Sequence, residues 1–248
     1  MNKWRFWPLA IANQQWHIDQ SELLLKTIEP RQPASLYWSM ADARGLVLGF
    51  SQKAAALNQE AMAREKVPVY RRRAGGTAVL VGADLLGLDV VLPAGHPLIL
   101  ADVVKSYQWL GEAWVETLRQ FDVHARIVPP EEAYAQRALL KQAEICERES
   151  LLRRACYGSI SPYEVVVGEK KVVGLDMVRR RAGSVLQAGV LLRWETGTLA
   201  VLLGQTPEEQ ALLEAGLRQR AAGLDELTGR NVSATEVIGA FEKVILTI

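Results

Sequence analysis

Apolar residues along this chain alternate between strand-like and helix-like spacing. Residues 4–11 read as a strand, and residues 19–29 read as a helix stopped by Pro30. Short β-rich runs follow at 35–39, 46–50, 67–72, 77–81 and 86–92, with a helix at about 57–65 between the second and third. Over 101–121, Val104, Tyr107, Leu110, Gly111, Trp114 and Leu118 recur at helical spacing, and 124–128 reads as a short strand. The stretch 131–153 is helical in pattern but heavily charged, which predicts either a helix with one solvated face or a mobile crossing segment. Beyond it, 163–167, 172–178 and 185–192 are strand-like, and Gly168-Glu169-Lys170 between the first two is a hairpin signal. In the tail, Thr206 and Ser233 each precede a glutamate at N3, Glu209 and Glu236, which predicts two capped helices. The strand runs are clustered and hairpin-like, so the expected class is α+β, with mixed or antiparallel sheets packed with helices, rather than a doubly wound sheet. No repeat or linker marks a boundary, and one domain is expected over 1–248 with 196–248 as its helical C-terminal extension.

Composition narrows the functions this fold can carry. Among 248 residues, 29 Lys and Arg oppose 28 Asp and Glu, so the formal charge is +1 and no bulk basic field exists to bind nucleic acid. No apolar stretch is long enough to predict a membrane span. The start, MNKWRFWPLAIA, has a faint leader-like pattern, but its apolar run is short and contains Pro8, so it reads as a retained strand. Cys146 and Cys156 are the only cysteines, which rules out a disulfide framework and CxxC metal sites and makes the cytoplasm the expected compartment. His17, His96 and His124 are scattered without a partner motif, so no metal site and no Ser-His-Asp arrangement is expected.

Four features could carry chemistry. Tyr70-Arg71-Arg72-Arg73-Ala74-Gly75-Gly76-Thr77-Ala78-Val79 joins two strands through a basic triplet and a glycine pair. Paired glycines allow close backbone approach to a ligand, and guanidiniums bind phosphate or carboxylate; the plainer alternative is a solvated strand end with a tight turn. A second triplet, Arg179-Arg180-Arg181, adds to a positive groove if the sheet brings the two together, and is otherwise a charged hairpin end. Cys156 follows Arg153-Arg154, a cationic setting that favours the nucleophilic thiolate, although a free cysteine is more often a small buried hydrophobe. Cys146 lies among carboxylates and is the poorer nucleophile. Lys171, entering an apolar strand from the hairpin, can aim its ammonium at a carbonyl or phosphate, whereas Lys170 reads as solvated.

The order of these segments resembles the lipoate/biotin protein ligase and octanoyltransferase superfamily. The likeness runs from Trp4-Arg5-Phe6 through Asp19, Leu23, Leu24, residues 47–52, the Arg-Arg-x-x-Gly-Gly-x-Ala-Val segment at 71–79, Cys156, residues 163–167, Lys171-Val172-Val173-Gly174 and Gln187. The resemblance implies a ligase-like catalytic domain in which Arg71, Arg72, Gly75, Gly76, Thr77, Ala78 and Gly174 bind the acyl group and Lys171 contacts the reacting carbonyl. Cys156 falls where the cysteine-dependent octanoyltransferase branch carries its acyl-accepting thiol. The implied reaction moves an octanoyl or lipoyl group from an acyl carrier protein or an acylated lipoyl domain, through a Cys156 thioester, to a lysine of a lipoyl-domain protein. The glycine cleavage H protein and dehydrogenase E2 domains are the implied acceptors, and no permanently bound cofactor is implied. The alternatives are an ATP- and Mg-dependent lipoate–protein ligase working through a lipoyl-adenylate, and a binding or regulatory homologue without activity. Departures cluster near the site: Val81-Gly82-Ala83-Asp84 where many members have a histidine, Leu175-Asp176-Met177 in place of small residues, and Gln187-Ala188-Gly189 in place of Gln-His-Gly. Asp176 is expected to need Arg179 or Arg180 as a partner.

Overall fold

The computed structural model describes residues 4–248; Met1, Asn2 and Lys3, the first residues of the leader-like start, lie outside the described residues. The predicted first strand is split into β1 (Arg5–Phe6) and β2 (Ala10–Ala12), with Pro8, which has no N–H to donate to a ladder, in the gap. Helix α1 (Gln14–Lys26) starts well before Asp19, because the Asn13 side chain accepts from the Gln15 amide at 2.9 Å and caps it. There follow β3 (Ser35–Ala41), β4 (Gly45–Leu48), α2 (Gln59–Glu65), β5 (Val69–Arg71), β6 (Val79–Val81) and β7 (Leu85–Pro93). The central helical pattern forms α3 (Gln108–Arg119), and β8 (Arg126–Ile127) comes next. The charged stretch resolves into two helices, α4 (Pro130–Ala138) and α5 (Cys146–Leu152). Strands β9 (Val165–Val167), β10 (Lys170–Arg180) and β11 (Gly183–Leu191) complete the sheets. The tail contains α6 (Gly197–Leu203), α7 (Pro207–Arg220), α8 (Leu224–Thr228) and α9 (Ala234–Ile245). Of these only α7 and α9 are announced by their caps: α6 has no side-chain cap and is apolar nearly throughout, and α8 is too short to show a period.

The large sheet runs β1-β3-β7-β11-β10-β9-β8 with β2 also on β3, and a small sheet runs β5-β4-β6. Strand pairings are antiparallel except for β1 and β2 on β3 and β4 on β5, which gives the expected mixed α+β architecture. Register then determines what each face of the large sheet presents, because alternate residues point to opposite sides. On one face the rows Trp38, Leu88, Ala188, Leu175 and Leu36, Val90, Leu186, Met177 run across β3, β7, β11 and β10. This face belongs to the main core with α3 and α9, where the Trp38 ring stands edge-on to Trp114 and Phe241 at 6.2 and 5.5 Å. The other face carries the rows Ser39, Gly87, Gly189, Gly174 and Tyr37, Asp89, Gln187, Asp176. Leu24 and Leu25 of helix α1 and Ile28 just beyond its end pack beside Val91 and Val185 on that side, and the small sheet meets it through Val47 and Val81 around Ile18. The bare row of Gly87, Gly189 and Gly174 beneath these apolar covers leaves a cavity between them.

The cap of α9 gives a first measurable expectation. The Ser233 hydroxyl accepts from the Glu236 amide while the Glu236 carboxylate accepts from Ser233, forming a complete capping box. These hydrogen bonds, together with Arg230, hold the Glu236 pKa down at about 2. A depressed carboxylate pKa stabilises the fold fully above its ordinary value of 4.5, and that contribution is lost as pH falls toward 2. Ser233→Ala is expected to cost about 1 kcal/mol in urea denaturation at neutral pH. The gap between this variant and the unaltered protein should narrow on acidification over that window.

Candidate active site

Cys156 is held in place by a residue far away in sequence. Ala78, two residues beyond the glycine pair, donates its amide to Arg154 O at 3.1 Å and accepts the Cys156 amide at 2.8 Å, pairing in parallel with Ala155. Cys156 then opens a single 3-10 turn, Cys156–Gly158, which is packed so closely on the end of α5 that a Cβ on Gly158 would lie 1.9 Å from Leu152 O. The glycine loop and the cysteine are therefore fixed to each other through backbone.

Lys171 reaches the same point from the large sheet. The β9–β10 ladder slips register between Lys171 and Val173, a bulge that re-aims the lysine inward. The side chain is almost fully buried, and its Nζ lies 2.7 Å from Glu164 Oε1, 3.0 Å from Cys156 O, 3.3 Å from Ser159 O and 3.8 Å from Cys156 Sγ. An ammonium has three protons, and three oxygens claim them. Toward the sulfur and any bound carbonyl, Lys171 acts as a fixed positive charge. Burial opposes that charge, but the Cys156 sulfur and the Glu164 carboxylate outweigh it and hold the lysine pKa above its ordinary value. The second oxygen of Glu164 accepts from the Ser161 amide at 2.7 Å, and Oε1 also accepts from Leu175 N at 3.2 Å. The Tyr157 ring lies 4.9 Å from Nζ, with its hydroxyl donating to Gly189 O at 2.7 Å. The Lys-x-x-Gly spacing has a local reason: a Cβ at Gly174 would stand 3.1 Å from Lys171 Cε.

The residues of the glycine loop divide their work. Gly76 has φ of 84°, the left-handed region that favours glycine. Arg72 bridges the loop, donating to Gly75 O and to Thr77 O, each at 3.0 Å. Arg71, Gly75 and Ala78 are not among the residues lining the cavity. The Arg71 guanidinium is committed to the carbonyls of Gly49, Phe50 and Gln52, and Ala78 acts through its backbone. Gly49 is the loop's other constraint, since a Cβ there would lie 2.0 Å from Gly76 O. Gly49→Ala is expected to displace the glycine loop and lower the unfolding free energy by about 1–3 kcal/mol, as read from urea denaturation.

A cavity of about 990 Å³ is lined by Arg72, Gly76, Thr77, Cys156, Lys171 and Gly174, so most of the residues expected at the site do converge. Arg72 and Arg73 of the first triplet and Arg180 and Arg181 of the second line it as well. Arg179 does not, because strand alternation puts it on the opposite face, where it donates to Ser106 Oγ at 2.8 Å. Asp176 is expected to pair with Arg179 or Arg180, but Arg180, although on the same face, donates to Arg179 O at 3.2 Å, and the cation nearest Asp176 is Arg72, Nε to Oδ2 at 4.0 Å. Burial pushes the Asp176 carboxyl up, and Arg72 only partly offsets this. Of the cations beside Cys156 in sequence, Arg154 turns away to Glu209 at 2.7 Å, and the cation against the sulfur is Lys171. Glu164 and Tyr157 had no predicted role. The one signal for Glu164 is a lone carboxylate opening the all-valine strand that the hairpin pairs with Lys171. Asp89 also lies on the cavity wall, its carboxylate accepting from Gln187 Nε2 at 2.7 Å and from the Ser21 hydroxyl.

Comparison with known proteins places this geometry in a family. The sequence profile of the lipoyl protein ligase A/B catalytic domain matches residues 13–246. An octanoyltransferase LipM from Exiguobacterium sibiricum is 33% identical over 205 residues, which covers 82% of this chain and 70% of the relative. An octanoyltransferase LipM from Brevibacillus brevis is 27% identical over 98% of this chain and 86% of its own length. Among solved structures, the bi-partite lipoate protein ligase from Thermoplasma acidophilum superposes with a TM-score of 0.76 at 20% identity, covering 100% of this chain and 83% of that one. A lipoate-protein ligase A bound with ATP gives a TM-score of 0.73 at 20% identity, covering 99% and 85%. At that identity the likeness shows the fold.

Proposed function

The chain belongs to the lipoyl protein ligase A/B catalytic domain family, and we propose that it is an octanoyltransferase of lipoate metabolism that works through a thioester on Cys156. The observation that carries this reading is the Cys156 sulfur 3.8 Å from the buried Lys171 ammonium, which is paired with Glu164, on the wall of a cavity large enough for a medium-length acyl chain. The relatives named octanoyltransferase support the same class of reaction.

The steps follow from those atoms. The Cys156 thiolate attacks the carbonyl carbon of an octanoyl thioester on an acyl carrier protein. The Lys171 ammonium stabilises the thiolate before attack and the oxyanion after it. Collapse of the tetrahedral intermediate breaks the donor C–S bond, and the carrier leaves as a thiolate that takes up the proton Cys156 gave up. The ε-amine of a lysine on the acceptor domain then attacks the Cys156 thioester, an amide forms, and the thiol is restored. The amide draws its free energy from the donor thioester; where the donor is an already acylated lipoyl domain, Cys156 instead breaks the C–N bond of its lysine amide, the departing ε-amine takes up the thiol proton, and one amide is exchanged for another, so neither route consumes a nucleotide. Arg72, Gly76, Thr77 and Gly174 border the bound acyl group, whereas Gly75, Ala78 and Arg71 hold the loop that presents them. The acceptors are lipoyl domains such as those of the glycine cleavage H protein and the dehydrogenase E2 subunits. One catalytic domain does this, with the helices of 196–248 as its extension: Phe241 of α9 packs on Trp38 of the sheet. None of its described helices is long and apolar enough to cross a membrane, and we assign it to the cytoplasm, where its acyl carrier would be found.

The test is transfer from octanoyl acyl carrier protein to a lipoyl domain in the absence of ATP, with both substrates varied. Parallel double-reciprocal plots are expected, the signature of a covalent intermediate. Acylation that requires ATP and releases pyrophosphate would make the protein a ligase, and no acylation under either condition would make it a binding homologue.

A further inference from the structure

The cavity carries more positive charge than an acyl chain can use. Arg137, at the C-terminal end of α4, and Arg153, just after α5, line it together with Cys156, Ser159, Ser161 and Pro162. Both are tied to the segment that carries the cysteine. The Gln136 side chain accepts the Ile160 amide at 2.9 Å, which fastens the end of α4 to the chain just past the Cys156 turn. Arg153 precedes Cys156 closely enough in sequence that the two Cα atoms are at most about 11 Å apart.

Neither arginine is committed elsewhere. Arg154 donates to Glu209 and Arg220 to Glu149, whereas among the described residues the Arg137 and Arg153 guanidiniums have no hydrogen-bond or ion-pair partner. Burial lowers the Arg153 pKa, the nearby charge of Arg137 lowers it further, and Glu149 only partly opposes them. The fold thus holds two like charges together with no carboxylate bonded to either, an arrangement that an anion relieves.

Reach decides which anion. The acyl carrier of the proposed reaction presents its thioester on a pantetheine arm joined to the protein through a phosphate. About 13 bonds separate phosphorus from sulfur, roughly 16 Å when extended, so a thioester at Cys156 can place its phosphate at Arg153. The second Arg triplet is a poorer match. Arg180 donates to Arg179 O at 3.2 Å, and along β10 it lies about 20 Å from Gly174, the residue packed on Lys171.

We propose that Arg137 and Arg153 form a binding site for the phosphate ester of the donor's pantetheine arm. The proposal rests on the acyl-transfer reading and names the part of the donor, other than its acyl chain, that the site recognises. Guanidinium forks match phosphate oxygens in geometry as well as in charge.

The test compares octanoyl thioesters of pantetheine and of 4′-phosphopantetheine, which differ only in the phosphate, as acylating agents for the full chain. Adduct formation on Cys156 is followed by intact mass. The phosphorylated donor should react roughly tenfold faster at low ionic strength, and the ratio should shrink toward unity as salt is raised. In Arg137→Gln combined with Arg153→Gln the ratio should fall close to unity; because it is taken within one protein, a general loss of activity cancels. Arg137→Gln alone, at an exposed position, should lower the ratio partway and keeps the test open if the double variant does not fold. Equal rates for the two donors, or a phosphate preference that survives the double variant, would overturn the proposal while leaving acyl transfer intact. If neither thioester acylates Cys156, calorimetric titration with free phosphopantetheine and pantetheine decides. Tighter binding of the phosphorylated form, lost in the double variant, supports the site without the chemistry, and equal binding overturns it. Nucleotide phosphates share this chemistry, so ATP with magnesium is titrated alongside. ATP that binds through the same arginines more tightly than phosphopantetheine would give the site to a nucleotide and overturn the proposal.

Discussion

Lys171→Met is expected to lower the unfolding free energy by about 3–5 kcal/mol and to reduce acyl transfer below detection. The stability loss comes from Glu164 rather than from the lysine itself. With its partner removed, a carboxylate that is only 2% exposed keeps just the Ser161 and Leu175 amides as donors, and the desolvation cost of its charge goes uncompensated. Burial already pushes the Glu164 carboxyl up, with Lys171 as the chief opposing influence, so the variant's glutamate titrates higher still. The sign of the pH dependence follows. A carboxyl whose folded pKa is raised favours the folded state at low pH and loses that advantage as pH rises from its unfolded to its folded pKa. The deficit of Lys171→Met should therefore be largest at neutral pH and shrink on acidification, as urea denaturation at a series of pH values would show. Lys171→Met combined with Glu164→Gln should recover most of the stability, because the amide stays neutral and Oε1 can still accept, but none of the activity. Recovery of activity in the double variant would mean that the lysine serves only to neutralise Glu164.

Cys156→Ala should reduce octanoyl transfer roughly a thousandfold or more while leaving the urea midpoint nearly unchanged. The amide and carbonyl contacts that hold residue 156 are backbone contacts, and alanine keeps them. Cys146→Ala is the matched control. Its sulfur lies against Ala143 O at 3.5 Å on the first residue of α5, outside the cavity, and its loss should leave the transfer rate as it was. Equal losses from the two variants would point to a general effect of thiol removal rather than to a nucleophile.

The features of the molecule that are legible in the sequence share a physical property: they are local. The clustered strands, the capped starts of α7 and α9, and the glycine pair beside an Arg triplet each announce themselves within a few residues. The resemblance that joined Cys156 to Lys171 supplied an order of segments but no distances. The pairing of Lys171 with Glu164 depends on a register slip in the β9–β10 ladder, which no alternation of apolar residues reveals. The partner of Asp176 was misassigned because nearness in sequence favoured Arg179, which the pleat turns to the far face, and Arg180, which turns back to the Arg179 carbonyl, over Arg72 in a distant loop. Arg71 and Arg72 are adjacent and alike, yet one braces a loop and the other borders the cavity. The polar row across β10, β11, β7 and β3 exists only once the register is known.

The most direct measurement is to trap the intermediate. The purified protein is incubated with octanoyl acyl carrier protein alone, without ATP and without an acceptor, then quenched in acid and analysed by intact mass and peptide mapping. One octanoyl group on Cys156, labile to hydroxylamine and discharged when a lipoyl domain is added before the quench, is the predicted result. An unmodified Cys156 in a preparation that still octanoylates the lipoyl domain would contradict it.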